Sequence, residues 1–300
     1  MGAFLRKTES ELPDVTGIDT WADAEILGAF GAGQERAIAA VKAAFPQISK
    51  AANTLAACLA GGGRLFYAGA GTSIRIGVQD GSELPATFGM AEERIGYLIA
   101  GGRAAMFETF ADAEDDIEAG SKAAAACKPG DALVAIAASG STPYTIAAAR
   151  RARELGAHVI AVVNNPNSSL AASADIEILL DSGPEVIAGS TRMGAGTAQK
   201  AALNFLSTLT HIKLGAIHDG MMVNVQAGNL KLKARACGIV ARIAKVNEKA
   251  ASAALERANG EVKPAVLLCA GAKSLDAAKQ LLLESKGNLR LALSRLASKS

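Results

Sequence analysis

Two glutamates and three hydroxyl-rich loops are the residues of this chain whose types and spacing could do chemistry. Glu83 stands in Gly81-Ser82-Glu83-Leu84-Pro85-Ala86, an acid among apolar and small neighbours. Such surroundings disfavour charge and would let a carboxyl hold a proton and give it away near neutrality; the alternative is an ordinary exposed loop acid. Glu114 lies in the segment 106–121, where helical spacing puts Phe107, Phe110, Glu114, Ile117 and Ser121 on one stripe. Asp112, Asp115, Asp116 and Ala119 fall elsewhere on that helix, so one acid is expected to face inward while its acidic neighbours face solvent. The competing reading is a solvated acidic helix in another register. Two inward carboxyl groups would form an acid and base pair able to move protons at carbon atoms next to a carbonyl.

The loops supply a place for the substrate. Gly69-Ala70-Gly71-Thr72-Ser73 joins the apolar run Arg64 to Ala68 to a helix-like segment. A strand that delivers a Gly-rich turn to a helix N-terminus leaves backbone N–H groups unpaired, with the helix dipole adding partial positive charge, so an anion is favoured there. Position 74 is Ile where a dinucleotide fingerprint needs its third Gly, and the Gly-Lys-Ser/Thr of a P-loop is missing. Gly71, Thr72 and Ser73 therefore suit a compact phosphomonoester better than a pyrophosphate. Ser139-Gly140-Ser141-Thr142 and Gly189-Ser190-Thr191 repeat the chemistry of Gly and hydroxyls. Three such loops on one edge of a sheet would make a pocket of neutral donors fitted to a phosphorylated sugar; the bland alternative is three structural turns.

The elements that must position these residues follow from periodicity. Short β-rich runs at 64–68, 94–100, 132–138, 158–163 and 176–180 alternate with helical segments, which predicts an α/β three-layer sandwich with a parallel sheet of about five strands. Ahead of them, helices are expected at roughly 20–30, 34–44 and 46–60, with Pro46 as a break; behind them comes one long helix, Thr197 to Leu214. A polar segment, His218 to Arg235, and a charged linker near Glu256 to Lys263 follow. Ser274 is the expected N-cap of Leu275 to Ser285 and Gly287-Asn288 its stop, within a small three-helix C-terminal unit. The expected organisation is a helical segment at 1–60, a phosphosugar-binding domain at 61–240 and the helical unit at 241–300.

Composition limits the partners. The 31 Lys and Arg against 29 Asp and Glu leave a net charge of +2 with no block of one sign, which argues against nucleic acid or an anionic membrane as partner. Cys58, Cys127, Cys237 and Cys269 form no C-x-x-C pair, and His158, His211 and His218 are equally scattered, so no metal site is expected. The N-terminus lacks a signal-peptide pattern, and the apolar-rich run Ala132 to Ala149 is interrupted by Ser139-Gly140-Ser141-Thr142-Pro143, so a cytoplasmic protein is expected.

The strings YAGAGTSIRIGVQDGSELPATFG, IAASGSTPY, GPEVIAGSTRMGAGTAQKAALNFLST and MMVNVQAGNLKLKARA resemble, in order and spacing, the N-acetylmuramic acid 6-phosphate etherases of the sugar isomerase (SIS) domain superfamily. The resemblance runs from about Thr8-Glu9 to the end, where CAGAKSLDAAKQLLLESKGNLRLALSRL is similar to that family's small ubiquitin-associated-like unit. It implies cofactor-free cleavage of a lactyl ether by elimination and then hydration, in a homodimer whose phosphosugar site can be shared between subunits. It also implies Glu83 as proton donor to the departing lactate and Glu114 as base or water activator. Ile74, Ser141 and Met193-Gly194 depart from the family pattern. The other activities open to such a domain are non-catalytic phosphosugar sensing and aldose–ketose isomerisation.

Overall fold

The computed structural model describes residues 6–108, 110, 112–226 and 229–298. The chain divides into two compact units, residues 1–81 with 93–207 and residues 82–92 with 208–300.

The first unit opens with α1 (Asp23–Ala43) and α2 (Phe45–Ala60), then alternates β1 (Leu65–Gly69), α3 (Gly71–Phe88), β2 (Ile95–Ile99), α4 (Ile117–Ala124), β3 (Ala132–Ala137), α5 (Pro143–Glu154), β4 (His158–Val163), α6 (Ser169–Ala172), β5 (Ile176–Leu179) and α7 (Gly194–Lys213). Two of the three unit boundaries fall inside α3 and α7, and the third in the 3-10 turn Glu92–Arg94. All five strands are parallel, in the order β2-β1-β3-β4-β5. This is the sheet that the continuous apolar runs predicted: every residue of β1 and β3 is buried, as expected of strands covered on both faces.

Alternate residues separate the two faces. Phe66, Ala68, Leu133, Ala135, Val159 and Ala161 share a core with Ala124 of α4, Ala148 and Ala152 of α5 and Leu170 of α6. Tyr67 and Ile136 point the other way, against Gly77 of α3. On that face Asp80 accepts hydrogen bonds from Tyr67 Oη (2.7 Å), Asn204 Nδ2 (2.7 Å) and Ser207 Oγ (2.9 Å), which ties α3 to β1 and α7. At the opposite end of the strands Asp131 accepts from Arg64 N (2.8 Å), Arg64 Nη2 (2.7 Å) and Lys128 N (2.9 Å). Burial works against the Asp131 charge, but Arg64 and these amides prevail and hold the carboxyl below the usual range.

Two helix expectations change. The break foreseen between residues 30 and 34 does not occur, and α1 runs straight through Gly31 and Gly33. Gly33 is buried, and a Cβ on it would stand 3.1 Å from Val186 Cγ2, so its lack of a side chain serves packing rather than a turn. The helix foreseen over 106–121 is replaced by a short 3-10 turn at Arg103–Met106, turns at 112–115 and then α4; Thr109 and Ala111 of that segment lie outside the described residues. Asp116 starts α4 as its N-cap, its Oδ1 accepting from Ala119 N at 2.8 Å. Closely spaced acids repel along a helix and compete for cap positions, so the acidic run forms the entry to a helix rather than its middle.

The second unit contains a two-residue hairpin, β6 (Ile217–His218) with β7 (Met221–Met222), and the helices α8 (Leu230–Ala244), α9 (Glu248–Arg257), α10 (Val262–Cys269), α11 (Leu275–Glu284) and α12 (Leu289–Ala297). The three-helix tail expected from sequence is thus larger, because α8 and α9 join the same apolar core through Ala236, Val240, Ala251 and Leu255. The boundary expected at residue 240 falls inside α8. Glu256 and Lys263, expected in a linker, are helical, and Lys263 is buried in α10. Ser274 caps α11 as foreseen, accepting from Ala277 N at 3.1 Å, and Asn288, expected as a stop, also caps α12. No helix among the described residues is long and apolar enough to cross a membrane.

Candidate active site at the carboxyl ends of the strands

In this strand order the chain leaves β1 and β3 toward opposite faces of the sheet, which opens a crevice beyond the carboxyl ends of these neighbouring strands. The first two hydroxyl-rich loops flank it. Gly71, with φ of 52°, turns the chain out of β1 in the left-handed region that glycine adopts at little cost. Ile74 N then reaches back to Ala70 O at 3.4 Å, and the amides of Gly71, Thr72 and Ser73 have no backbone partner among the described residues. Three free N–H groups at the start of an eighteen-residue helix are the anion cradle read from the sequence.

The second loop is braced from within. Ser139 Oγ accepts from Ser141 N and Ser141 Oγ, both at 3.2 Å. Gly140 has φ of 64° and lies so close to Ser168 that an added Cβ would stand 2.3 Å from Ser168 Cβ, while its carbonyl accepts from Leu170 N. Thr142 precedes Pro143 at the N-terminus of α5 and makes no side-chain cap bond, so its hydroxyl is not spent on the helix. One turn on, Thr145 is buried, and its Oγ1 has no partner among the described residues.

Glu114 meets this loop through its main chain: its carbonyl accepts from Tyr144 N at 2.9 Å, in the first turn of α5. The seat is tight, because α4 approaches α5 at Gly120, where a Cβ would stand 2.2 Å from Tyr144 O. Arg75 braces the neighbouring turn from α3, its Nη2 donating to Ala105 O at 2.9 Å. The inward stripe expected of a helix is overturned: Phe107 is 93% exposed, Ile117 63% and Phe110 44%, and Glu114 itself is exposed. Glu114 is therefore held beside the second loop by a backbone hydrogen bond and not by a helix face. Glu83 lies further along α3, exposed and helical, in the part of that helix that belongs to the second unit.

The third loop differs from the expectation of open amides. Gly189-Ser190-Thr191 precedes α7, but Glu185 is buried and its carboxylate already receives Gly194 N (2.9 Å) and Ala195 N (2.8 Å). The amides of Ser190, Thr191, Met193 and Gly196 are bonded within the same turn. The partly exposed Ser190 and Thr191 side chains are available to a ligand at this position.

Sequence reading missed several polar residues at this edge. Thr8 is fully buried and is tied to the end of β4 by Asn165, whose Nδ2 donates to Thr8 Oγ1 at 2.9 Å and to Ala138 O at 2.9 Å. Gln199 donates to Asn164 Oδ1 at 3.0 Å, and its own buried Oε1 has no partner among the described residues. The available signal was the pair Asn164-Asn165 directly after an apolar strand, since polar residues at strand tips of such sheets line ligand crevices. No cluster of metal-binding side chains occurs among the described residues.

Comparison with known proteins agrees with this architecture. A model of the SIS domain matches residues 105–209, and one of the glucokinase regulatory protein N-terminal SIS domain matches residues 47–152. An N-acetylmuramic acid 6-phosphate etherase from Symbiobacterium thermophilum is 47% identical over 261 residues, 87% of each chain. Proteins of the same name from Deinococcus radiodurans (45% identity, 92% of each chain) and Serratia proteamaculans (40% identity, 98% of this chain and 99% of the other) are similar over nearly the whole length. With identity at this level across both units, the chain belongs to the N-acetylmuramic acid 6-phosphate etherase family.

Proposed function

We propose that this protein cleaves the D-lactyl ether of N-acetylmuramic acid 6-phosphate, giving N-acetylglucosamine 6-phosphate and D-lactate in the reuse of cell-wall sugar. The observation that carries this reading is the seat of Glu114 on the first turn of α5, beside a hydroxyl-rich loop that shares a crevice with the free amides of α3. The 6-phosphate takes the amides and hydroxyls of Gly71, Thr72 and Ser73, with Ser139, Gly140, Ser141 and Thr142 on the other wall and the Ser190 and Thr191 hydroxyls as further donors.

The reaction needs no redox partner. In the ring-opened sugar the proton at C2 is acidified by the C1 aldehyde, and Glu114 removes it. The C3–O bond then breaks, and the departing lactate oxygen takes a proton from Glu83. Water adds its oxygen to C3 of the unsaturated aldehyde and a proton returns to C2. Phe107, Phe110 and Ile117, near Glu114 in sequence, are exposed, which supports a second copy of the chain packing there. We therefore read the working form as a homodimer, and its use of a cell-wall sugar phosphate places it in our reading in the cytoplasm.

The test is D-lactate release from the 6-phosphorylated muramic sugar by the purified chain, coupled to a lactate dehydrogenase. Glu114→Gln and Glu83→Gln should each lower kcat by about 10²–10⁴-fold. Full turnover in both variants rules out the mechanism. Phosphosugar binding without lactate would instead mark a sensor, and interconversion of sugar phosphates with ethers left intact would mark an isomerase.

A further inference from the structure

The first residues of the chain are fastened to the carboxyl end of the sheet. In the 3-10 turn Lys7–Glu9, Thr8 is fully buried; its amide donates to Asn165 Oδ1 at 3.4 Å and its Oγ1 accepts from Asn165 Nδ2 at 2.9 Å. The same Nδ2 reaches Ala138 O, one residue ahead of Ser139 in the second hydroxyl-rich loop. Thr8 O accepts from Gly189 N of the third loop at 3.2 Å, and Lys7 pairs with Asp181, just beyond β5, at 2.5 Å. A chain terminus is loose unless it is tied down, and these long-range bonds tie this one. The turn thus bridges the second and third loops of the candidate site.

Glu9 ends the turn with its carboxylate over the third loop: a Cβ on Gly189, where φ is 73°, would stand 2.9 Å from Glu9 Oε2. Among the described residues no hydrogen bond or ion pair engages this carboxylate, nor the hydroxyls of Ser190 and Thr191 that follow Gly189. The third loop in turn abuts the phosphate cradle. Thr191 O accepts from Gly196 N at 2.8 Å, and a Cβ on Gly196 would stand 3.7 Å from Thr72 Cγ2. Contacts therefore run from the free amides of α3 through Thr72, Gly196, Thr191 and Gly189 to Glu9, all within the first unit. A carboxylate accepts hydrogen bonds and donates none, and it repels a phosphate, so what it can take beside that cradle is a neutral donor such as a sugar hydroxyl. In the phosphosugar proposed above, C1 becomes the aldehyde and C3 carries the ether; C4 alone keeps a hydroxyl in both the ring-closed and the ring-opened form. We propose that Glu9 determines specificity by accepting a hydrogen bond from the C4 hydroxyl of the bound sugar, an inference that rests on the crevice being a phosphosugar site.

The experiment is a calorimetric titration of the full chain at pH 7 with two probes, N-acetylglucosamine 6-phosphate and its 4-deoxy analogue, in wild type and in Glu9→Ala. Wild type should bind the deoxy sugar about tenfold more weakly or worse, because a hydroxyl donating to a carboxylate makes a charge-assisted bond. In Glu9→Ala the two sugars should bind alike, since the partner of the C4 hydroxyl is gone; this comparison isolates the contact from any general effect of the substitution. Glu9 is exposed, so the variant is expected to unfold at the wild-type midpoint. The same preference for the C4 hydroxyl in variant and wild type, no preference in wild type, or no saturable binding of either sugar overturns the proposal. Binding is read on the product without turnover, so the two readings fail separately. A lost preference in Glu9→Ala with no lactate released from the ether would leave the Glu9 contact standing and refute the cleavage, and lactate release with an unchanged preference would refute the contact alone.

Discussion

Replacing Lys263 with methionine should stabilise the protein at neutral pH. Lys263 is held at about 8 against an ordinary 10.5, and burial is the cause. At about 1.4 kcal/mol for each factor of ten, keeping that ammonium charged in the fold costs about 3 kcal/mol. Methionine keeps the aliphatic stem and forfeits the bond to the Gly287 carbonyl, worth about 1 kcal/mol. The net gain is about 2 kcal/mol. The pH dependence identifies the source. Below pH 8 both folded and unfolded lysine are protonated, so the gap between variant and wild type is constant. Between about pH 8 and 10.5 the unfolded chain binds the proton and the folded chain does not, so wild-type stability rises relative to the variant and the gap closes. Urea unfolding of both full chains, followed by circular dichroism across this range, reads it directly. A Lys263→Met protein no more stable than wild type at pH 7, or a gap that does not change up to pH 10.5, would refute the reasoning.

Three further outcomes follow from the geometry of the first unit. Gly120→Ala places a methyl 2.2 Å from Tyr144 O, so α4 and α5 must part; a loss of about 1–3 kcal/mol in thermal unfolding is expected together with a lower kcat, because Tyr144 N seats Glu114, and unchanged lactate release would show that the seat is not needed. Glu185→Ala leaves two buried amides at the start of α7 unpaired, at about 1–3 kcal/mol each, and should unfold at clearly lower denaturant than wild type, whereas an unchanged midpoint would contradict the assigned cap. The Asp131 carboxyl sits below its ordinary range, so its contribution is present at neutral pH and lost as pH falls through the lowered folded value. Asp131→Asn should therefore be less stable at pH 7 by roughly 1–3 kcal/mol, with the difference vanishing in acid; a gap that persists in acid would count against the Arg64–Asp131 pair as the cause.

The sequence by itself determined the parallel sheet, the loops at its edge and the cap of α11. Runs such as Ala132–Ala137 are apolar throughout, and a short apolar segment between turn signals has few stable alternatives to a buried strand. Ser274 could be read as a cap because capping is a local contact over three residues, whereas Asn288, read as a stop, proved to cap α12 as well. The helix over 106–121 could not be excluded from spacing, because periodicity says which residues would share a face and not whether the helix forms. There Asp116 took the cap, and a hydrogen bond to Tyr144, thirty residues later in the chain, decided where Glu114 stands. The same holds for Glu185, whose partners at Gly194 and Ala195 are amides that any sequence would supply, and for Lys263, which looked like a linker residue until α8 to α12 closed around it. Local chemistry is written in neighbouring residues; which buried charge meets which backbone group depends on long-range packing, and only the tertiary structure decided that.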